Sequence, residues 1–147
     1  MGLLQRLGGH DDVPGVGVFV DGPNVLRSEF DVDLDDIRAF GSKEGAVRLA
    51  RLYLDENAPA SLIQAAEERG FEVTVTSGDV DVRLAVDATA AAVQRVVDTL
   101  VIVSRDSDFK PVLEQAAARG VETVALAPGE YGRSDALRNA AQRSLTL

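Results

Sequence analysis

Three short stretches hold the side chains that could do chemistry: "VFVDGPN" at 18–24, "GDVD" at 78–81 and "SRDSDF" at 104–109. Cysteine is absent and His10 is the one histidine, so thiolate nucleophiles, disulfides, thiolate metal sites and a histidine base are excluded or poorly supported. Chemistry in this chain has to run on carboxylates. Asp21 closes an apolar run, and Gly22 and Pro23 after it break the strand, so Asp21 and Asn24 project from a tight bend at a strand's C-terminal mouth. Asp106 and Asp108 follow the apolar run "TLVIV" in the same way, and Asp79 and Asp81 open a long helical pattern.

Each of these aspartates also has a local explanation. Asp21 fits a turn, Asp79 and Asp81 fit a helix N-terminus, and Asp106 or Asp108 fits a cap before Lys110 and Pro111. Together they point elsewhere. Carboxylates from three segments gathered at one rim repel one another, and a hard divalent cation relieves that repulsion. Asp87 is a secondary candidate, as is Asp79. Arg83 stands four residues before Asp87, and positions 83, 87, 94 and 98 read as a polar, solvated stripe.

The elements that would position these groups alternate along the chain. A strand at 16–20 precedes a short helix capped by Asp33 and running to about Phe40, then a strand in "AVRLARLYL". "NAPASLIQAAEERG" reads as a helix capped by Asn57, with Pro59 in its first turn and Gly70 as its stop. "FEVTVT" is a third strand. The next helix follows from valines 82, 86, 93 and 97 at the spacing of one face. A buried strand "TLVIVS", a helix "KPVLEQAAARG", a strand "VETVALA" and a helix "SDALRNAAQR" complete the series before the terminal "SLTL". This rhythm implies an α/β, doubly wound three-layer sandwich around a parallel sheet of about five strands. With strand order 3-2-1-4-5, the reversal falls between strands one and four, where ligands bind in such sheets. That is where Asp21 meets Asp106 and Asp108, with Asp79 and Asp81 on the same edge.

At 147 residues and 46% hydrophobic, the chain is expected to form one domain over 16–147 behind a flexible leader at 1–15. No stretch approaches the ~18 apolar residues of a membrane span, and the start lacks a secretory signal, so no membrane partner and a cytoplasmic location are expected. The net charge is −9, and the cations are arginines apart from Lys43 and Lys110. That balance looks like adaptation to high internal salt, as in a halophilic archaeon. An acidic surface disfavours nucleic acid, but at ~1 M salt the screening length falls to about 3 Å and only local charges count.

In this order and spacing, "VFVDGPNVLR", "GDVDVRLAVDA" and "VSRDSDFKPVLEQAAARGVETVAL" resemble the NYN domain, a branch of the PIN-like nuclease superfamily, and most its archaeal subgroup. The resemblance implies a PIN-like fold and a Mg²⁺- or Mn²⁺-dependent ribonuclease site. It equates Asp21, Asp81, Asp106 and Asp108 with the metal-binding and catalytic aspartates, and Asn24 with their companion, which would orient a water or a phosphate oxygen. Ser104 and Ser107 would donate hydrogen bonds or cap turns, and Arg27, Arg105 and Arg133 would grip the substrate backbone or form surface ion pairs. RNA, single-stranded by preference, is the implied partner, and relatives of this kind often form homodimers. The chain departs from many bacterial relatives at Gly78–Asp79, where they carry Lys-Gly, and at Arg105, where they carry glycine.

Three other readings compete with this one. A haloacid-dehalogenase-type phosphatase needs a nucleophilic aspartate where Phe19 stands, and a dinucleotide-binding domain needs its glycines after the first strand rather than before and inside it. The remaining alternative is a non-catalytic NYN module that binds RNA or protein.

Overall fold

The computed structural model describes residues 15–26, 33–129 and 135–147, with the side chains of 135 and 136 left aside. Residues 1–14 of the expected leader and the candidates Arg27 and Arg133 lie outside the described residues, while Gly15, expected in the leader, opens the first strand. In chain order the elements are β1 (Gly15–Asp21), α1 (Gly22–Val25), α2 (Leu34–Glu44), β2 (Ala46–Asp55), α3 (Ala60–Glu68), β3 (Glu72–Thr76) and α4 (Val80–Val93). Then come β4 (Thr99–Val103), a 3₁₀ turn (Ser107–Phe109), α5 (Lys110–Ala118), β5 (Glu122–Ala127), α6 (Asp135–Ala140) and β6 (Arg143–Thr146).

All strand pairings are parallel and the order is β3-β2-β1-β4-β5-β6. β1 and β4 are buried along their whole length, as parallel strands covered on both faces must be. Successive side chains alternate between the faces. Val16, Val18, Val20, Val101 and Val103 enter one core with Leu34, Ile37 and Ala66. Phe19, Tyr53, Leu100 and Ile102 enter a second core with Leu84, Ala88, Leu113 and Leu137. The strand order reverses between β1 and β4, as the alternation of elements implies.

The sheet has six strands where about five are expected. The terminal "SLTL" falls mostly within β6, although every residue of that strand is exposed. It is fastened by neighbours rather than by burial. Thr123 N–H donates to Gln142 Oε1 at 3.1 Å, and Gln142 N–H donates to Thr123 Oγ1 at 3.0 Å. Arg143 pairs with Glu44 and with Glu122.

Four local expectations change. The bend after β1 is a one-turn helix with Pro23 in its first turn, and Gly22 is required there because a Cβ would stand 2.4 Å from the Tyr53 carbonyl oxygen. α3 is preceded by Pro59 as its N-cap residue, while Asn57 donates its N–H to Asp55 Oδ1 in the preceding turn. On α4 the valine face is not the core face. Val82 and Val86 are 57% and 59% exposed, and Val80, Leu84, Ala88, Ala91 and Ala92 are buried instead. Asp33 does cap α2, accepting from Asp35 N–H at 2.8 Å, although the helix continues past Phe40 to Glu44.

Candidate metal centre

The alternation that sends Phe19 and Ile102 toward α4 also sends Asp21 and Ser104 there, two residues further along each strand. Val20 pairs with Val103, so Asp21 and Ser104 are neighbours at the sheet's C-terminal edge. Ser104 Oγ donates to Asp21 Oδ2 at 3.2 Å, with Asn24 Oδ1 a second acceptor at 3.4 Å, and itself accepts from Asp106 N–H at 3.0 Å. Asn24 Oδ1 also accepts from the Arg105 N–H at 3.0 Å. These bonds tie the ends of β1 and β4 together and hold Asp21 while it is 5% exposed. Its pKa is pushed up to about 6, first by burial and then by the charges of Asp106 and Asp81, against the lowering effect of the Ser104 hydroxyl and the Asn24 N–H.

Beside Asp21 an open cleft of about 350 Å³ is lined by Asp21, Pro23, Asn24, Asp55, Gly78, Asp79, Val80, Asp81 and Asp106. Asp81, Asp106 and Asp108 each present a carboxylate oxygen within 4.8 Å of the others. Asp21 stands outside that trio, yet it lines the same cleft as Asp81 and Asp106 and feels both charges. The capping role of Asp106 coexists with this arrangement: its Oδ1 accepts from Asp108 N–H at 2.9 Å and starts the 3₁₀ turn.

The other candidates separate. Asp79 lines the cleft in a left-handed conformation (φ 36°, ψ 49°) and makes no side-chain cap to α4. Ser107 is exposed at the head of the 3₁₀ turn, and Arg105 is half-buried, entering the network described here through its backbone N–H. Asp87 does not line the cleft. It pairs with Arg83 and accepts from Tyr53 Oη at 2.8 Å, so it is half-buried rather than part of a solvated stripe. Tyr53 is fully buried and stacks on Phe19, with ring centroids 6.3 Å apart. Burial, then the Asp87 hydrogen bond, raises the Tyr53 pKa, which keeps the phenol protonated as a donor.

One cleft residue escaped the sequence reading. Asp55 ends β2 as Asp21 ends β1, two residues beyond the partner of Asp21 in the sheet register. The strand-end rule that singles out Asp21 applies equally to "YLD" at 53–55.

A model of the NYN domain matches residues 15–147. The chain belongs to the NYN domain family. Among similar proteins, an uncharacterized protein of Methanocaldococcus jannaschii is 42% identical over 126 residues, covering 86% of this chain and 52% of the relative. This NYN chain therefore spans about half the length of that relative. The crystal structure of a protein of unknown function from Vibrio parahaemolyticus superposes with a TM-score of 0.81 at 22% identity, covering 95% of each chain, a likeness of fold. No helix among the described residues is long and apolar enough to cross a membrane.

The donor set of the NYN centre is chemically uniform. Asp81, Asp106 and Asp108 offer only carboxylate oxygen, with Asp21 beside them, which suits a hard cation such as Mg²⁺ or Mn²⁺ and not a soft metal.

Proposed function

We propose that this NYN domain, residues 16–147, is a Mg²⁺- or Mn²⁺-dependent ribonuclease that hydrolyses phosphodiester bonds of single-stranded RNA. The observation that carries the reading is the convergence of Asp81, Asp106 and Asp108 within 4.8 Å at the strand-order reversal, beside buried Asp21. When bound, the cation supplies Lewis acidity toward a phosphate oxygen and lowers the pKa of a water.

The chain's own groups do the rest. Asp81, Asp106 and Asp108 hold the cation, and Asp21 adds negative charge from the wall of the cleft. Ser104 fixes the Asp21 carboxylate, and Asn24, held by the Arg105 N–H, lines the cleft where it would orient a water or a phosphate oxygen. A flexible single strand can enter an open cleft with acidic walls, where a stiff duplex meets the acidic flanks. Because the net charge is −9, binding relies on the cation and local contacts rather than on a basic groove, so activity should persist in the high salt that the composition suggests. Such a protein would work in the cytoplasm.

The test is a labelled single-stranded RNA incubated with Mn²⁺, Mg²⁺ or a chelator across a salt series, with Asp21→Asn and Asp106→Asn as controls. Metal-dependent cleavage by the wild type that both variants lose supports the reading. A metal-loaded wild type that cuts no RNA leaves a non-catalytic binding module.

A further inference from the structure

A second concavity adjoins the acidic cleft. Between α4 and α5 runs a groove of about 570 Å³, walled by Val86, Thr89 and Val93 on one side and Pro111, Val112 and Gln115 on the other. Its end is Asp108, which also belongs to the carboxylate trio, so groove and trio are contiguous. The exposed valines of α4 lead to it: Val86 is 59% exposed, and Val82, one turn nearer Asp81, is 57% exposed. We propose that this groove receives a nucleobase of the RNA strand whose phosphate lies at the carboxylates, an inference that rests on the ribonuclease reading.

The chemistry of the walls selects that occupant. Among the described residues neither lysine nor arginine lines the groove, so these walls offer a phosphate or a carboxylate no counter-ion. Apart from Asp108, its polar side chains are Thr89 and Gln115. An apolar floor with one hydroxyl and one amide suits a flat, uncharged ring that carries donors and acceptors on its edge, and the glutamine amide offers both kinds of partner. The sugar of a nucleotide separates its base from its phosphate. One residue of the strand can therefore leave its phosphate at the acidic centre and lay its base past Asp108 onto Val86 and Pro111. On the opposite side of the cleft a smaller depression of about 140 Å³ shares Pro23 and Asp55 with the cleft, so the acidic centre lies between two partly apolar hollows.

Nucleosides are the probe, because they carry the base without a phosphate for the metal centre to capture. The full chain, free of metal, is titrated with adenosine, guanosine, cytidine and uridine and followed by amide chemical shifts. Shifts are expected at 85–93 and 112–115, with affinity about tenfold or more weaker in Val86→Glu, which sets a charge on the apolar floor. Gln115→Leu should change the order of preference among the four nucleosides. Val86 and Gln115 are both exposed, so both variants should unfold within a few degrees of the wild type. Amides of α4 and α5 that stay unmoved at millimolar nucleoside, or shifts that survive Val86→Glu undiminished, overturn the proposal. Neither metal nor cleavage enters the titration. A protein that cuts RNA yet ignores nucleosides loses the subsite alone, and one that binds them here without cutting RNA loses the ribonuclease reading alone.

Discussion

Ser104 donates its hydroxyl to the Asp21 carboxylate across 3.2 Å, joining the C-terminal ends of the two strands between which the sheet order reverses. The bond stabilises the charged form of a buried acid, opposing the burial that pushes its pKa up to about 6. Removing the hydroxyl in Ser104→Ala should therefore raise the Asp21 pKa further. Metal-dependent cleavage should then show its acidic limb at higher pH than in the wild type. The protein should also lose about 1 to 3 kcal/mol of stability, the range for a hydrogen bond to a charged group and for stranding buried polar atoms. A pH–rate profile with chemical denaturation checks both, and an unmoved acidic limb would show that Ser104 does not tune Asp21.

The same carboxylate makes metal-free stability depend on pH. Its folded pKa of about 6 lies above the ordinary value of 3.8, so between those values the folded state binds more protons than the unfolded state. Its contribution therefore falls as pH rises toward about 6 and stays low above that. A shift of about two pH units corresponds to roughly 3 kcal/mol as an upper figure. Asp21→Asn, whose amide oxygen can still accept from Ser104, should match the wild type near pH 4 and exceed it by up to that amount above pH 7. Saturating Mn²⁺ should shrink the difference, because a nearby cation favours the carboxylate. Denaturation curves of both proteins at the two pH values, with and without Mn²⁺, make the comparison.

Asp87 is predicted to support the fold rather than bind the cation. Tyr53→Phe removes the 2.8 Å bond to Asp87 beneath the cleft and should cost about 1 to 3 kcal/mol, because Asp87 is then left half-buried with Arg83 as its partner. Its melting temperature should still rise with Mn²⁺ by as much as that of the wild type. A lost metal response would place Tyr53 and Asp87 in the metal centre.

The sixth strand rests on the reciprocal pair Thr123 and Gln142. Thr123→Val keeps the shape of this fully buried side chain and removes its acceptor for Gln142 N–H. A destabilisation of about 1 to 2 kcal/mol is expected, with hydrogen exchange quickened along β6 and the β5 residues bonded to it. Unchanged exchange there would mean that the backbone ladder to β5 and the Arg143 ion pairs hold the strand without this pair.

The parts of this fold that were legible from sequence share one physical signature. β1 and β4 are apolar on both faces and end on polar residues, so the strands, their burial and Asp21, Asp106 and Asp108 at their mouths follow from the same pattern. β6 has no such pattern: its four exposed residues pair with β5, and Gln142 just before them exchanges hydrogen bonds with Thr123, nineteen residues away in the chain. The periodicity of α4 announced a helix but not its orientation. The small side chains Ala88, Ala91 and Ala92 face inward with Leu84, and the bulkier valines 82 and 86 are left outside. Asp87 read as solvated because its decisive partner, Tyr53, lies on another element. Asp55 stands at a strand end like Asp21, but it lies one residue past the apolar run that closes at Leu54.

Asp81, Asp106 and Asp108, with Asp21 beside them, are proposed to hold a divalent cation. Titration of Mn²⁺ into wild type and Asp106→Asn, with free ion followed by its paramagnetic resonance signal, tests it most directly. The asparagine keeps an oxygen to cap the 3₁₀ turn, so a difference between the proteins reports the lost charge rather than a lost turn. Saturable binding by the wild type is expected, with an affinity at least about tenfold weaker in the variant, by analogy with the loss of a charge-assisted contact. A wild type that takes up no Mn²⁺, or a variant that binds it equally well, would mean that these carboxylates do not form a cation site.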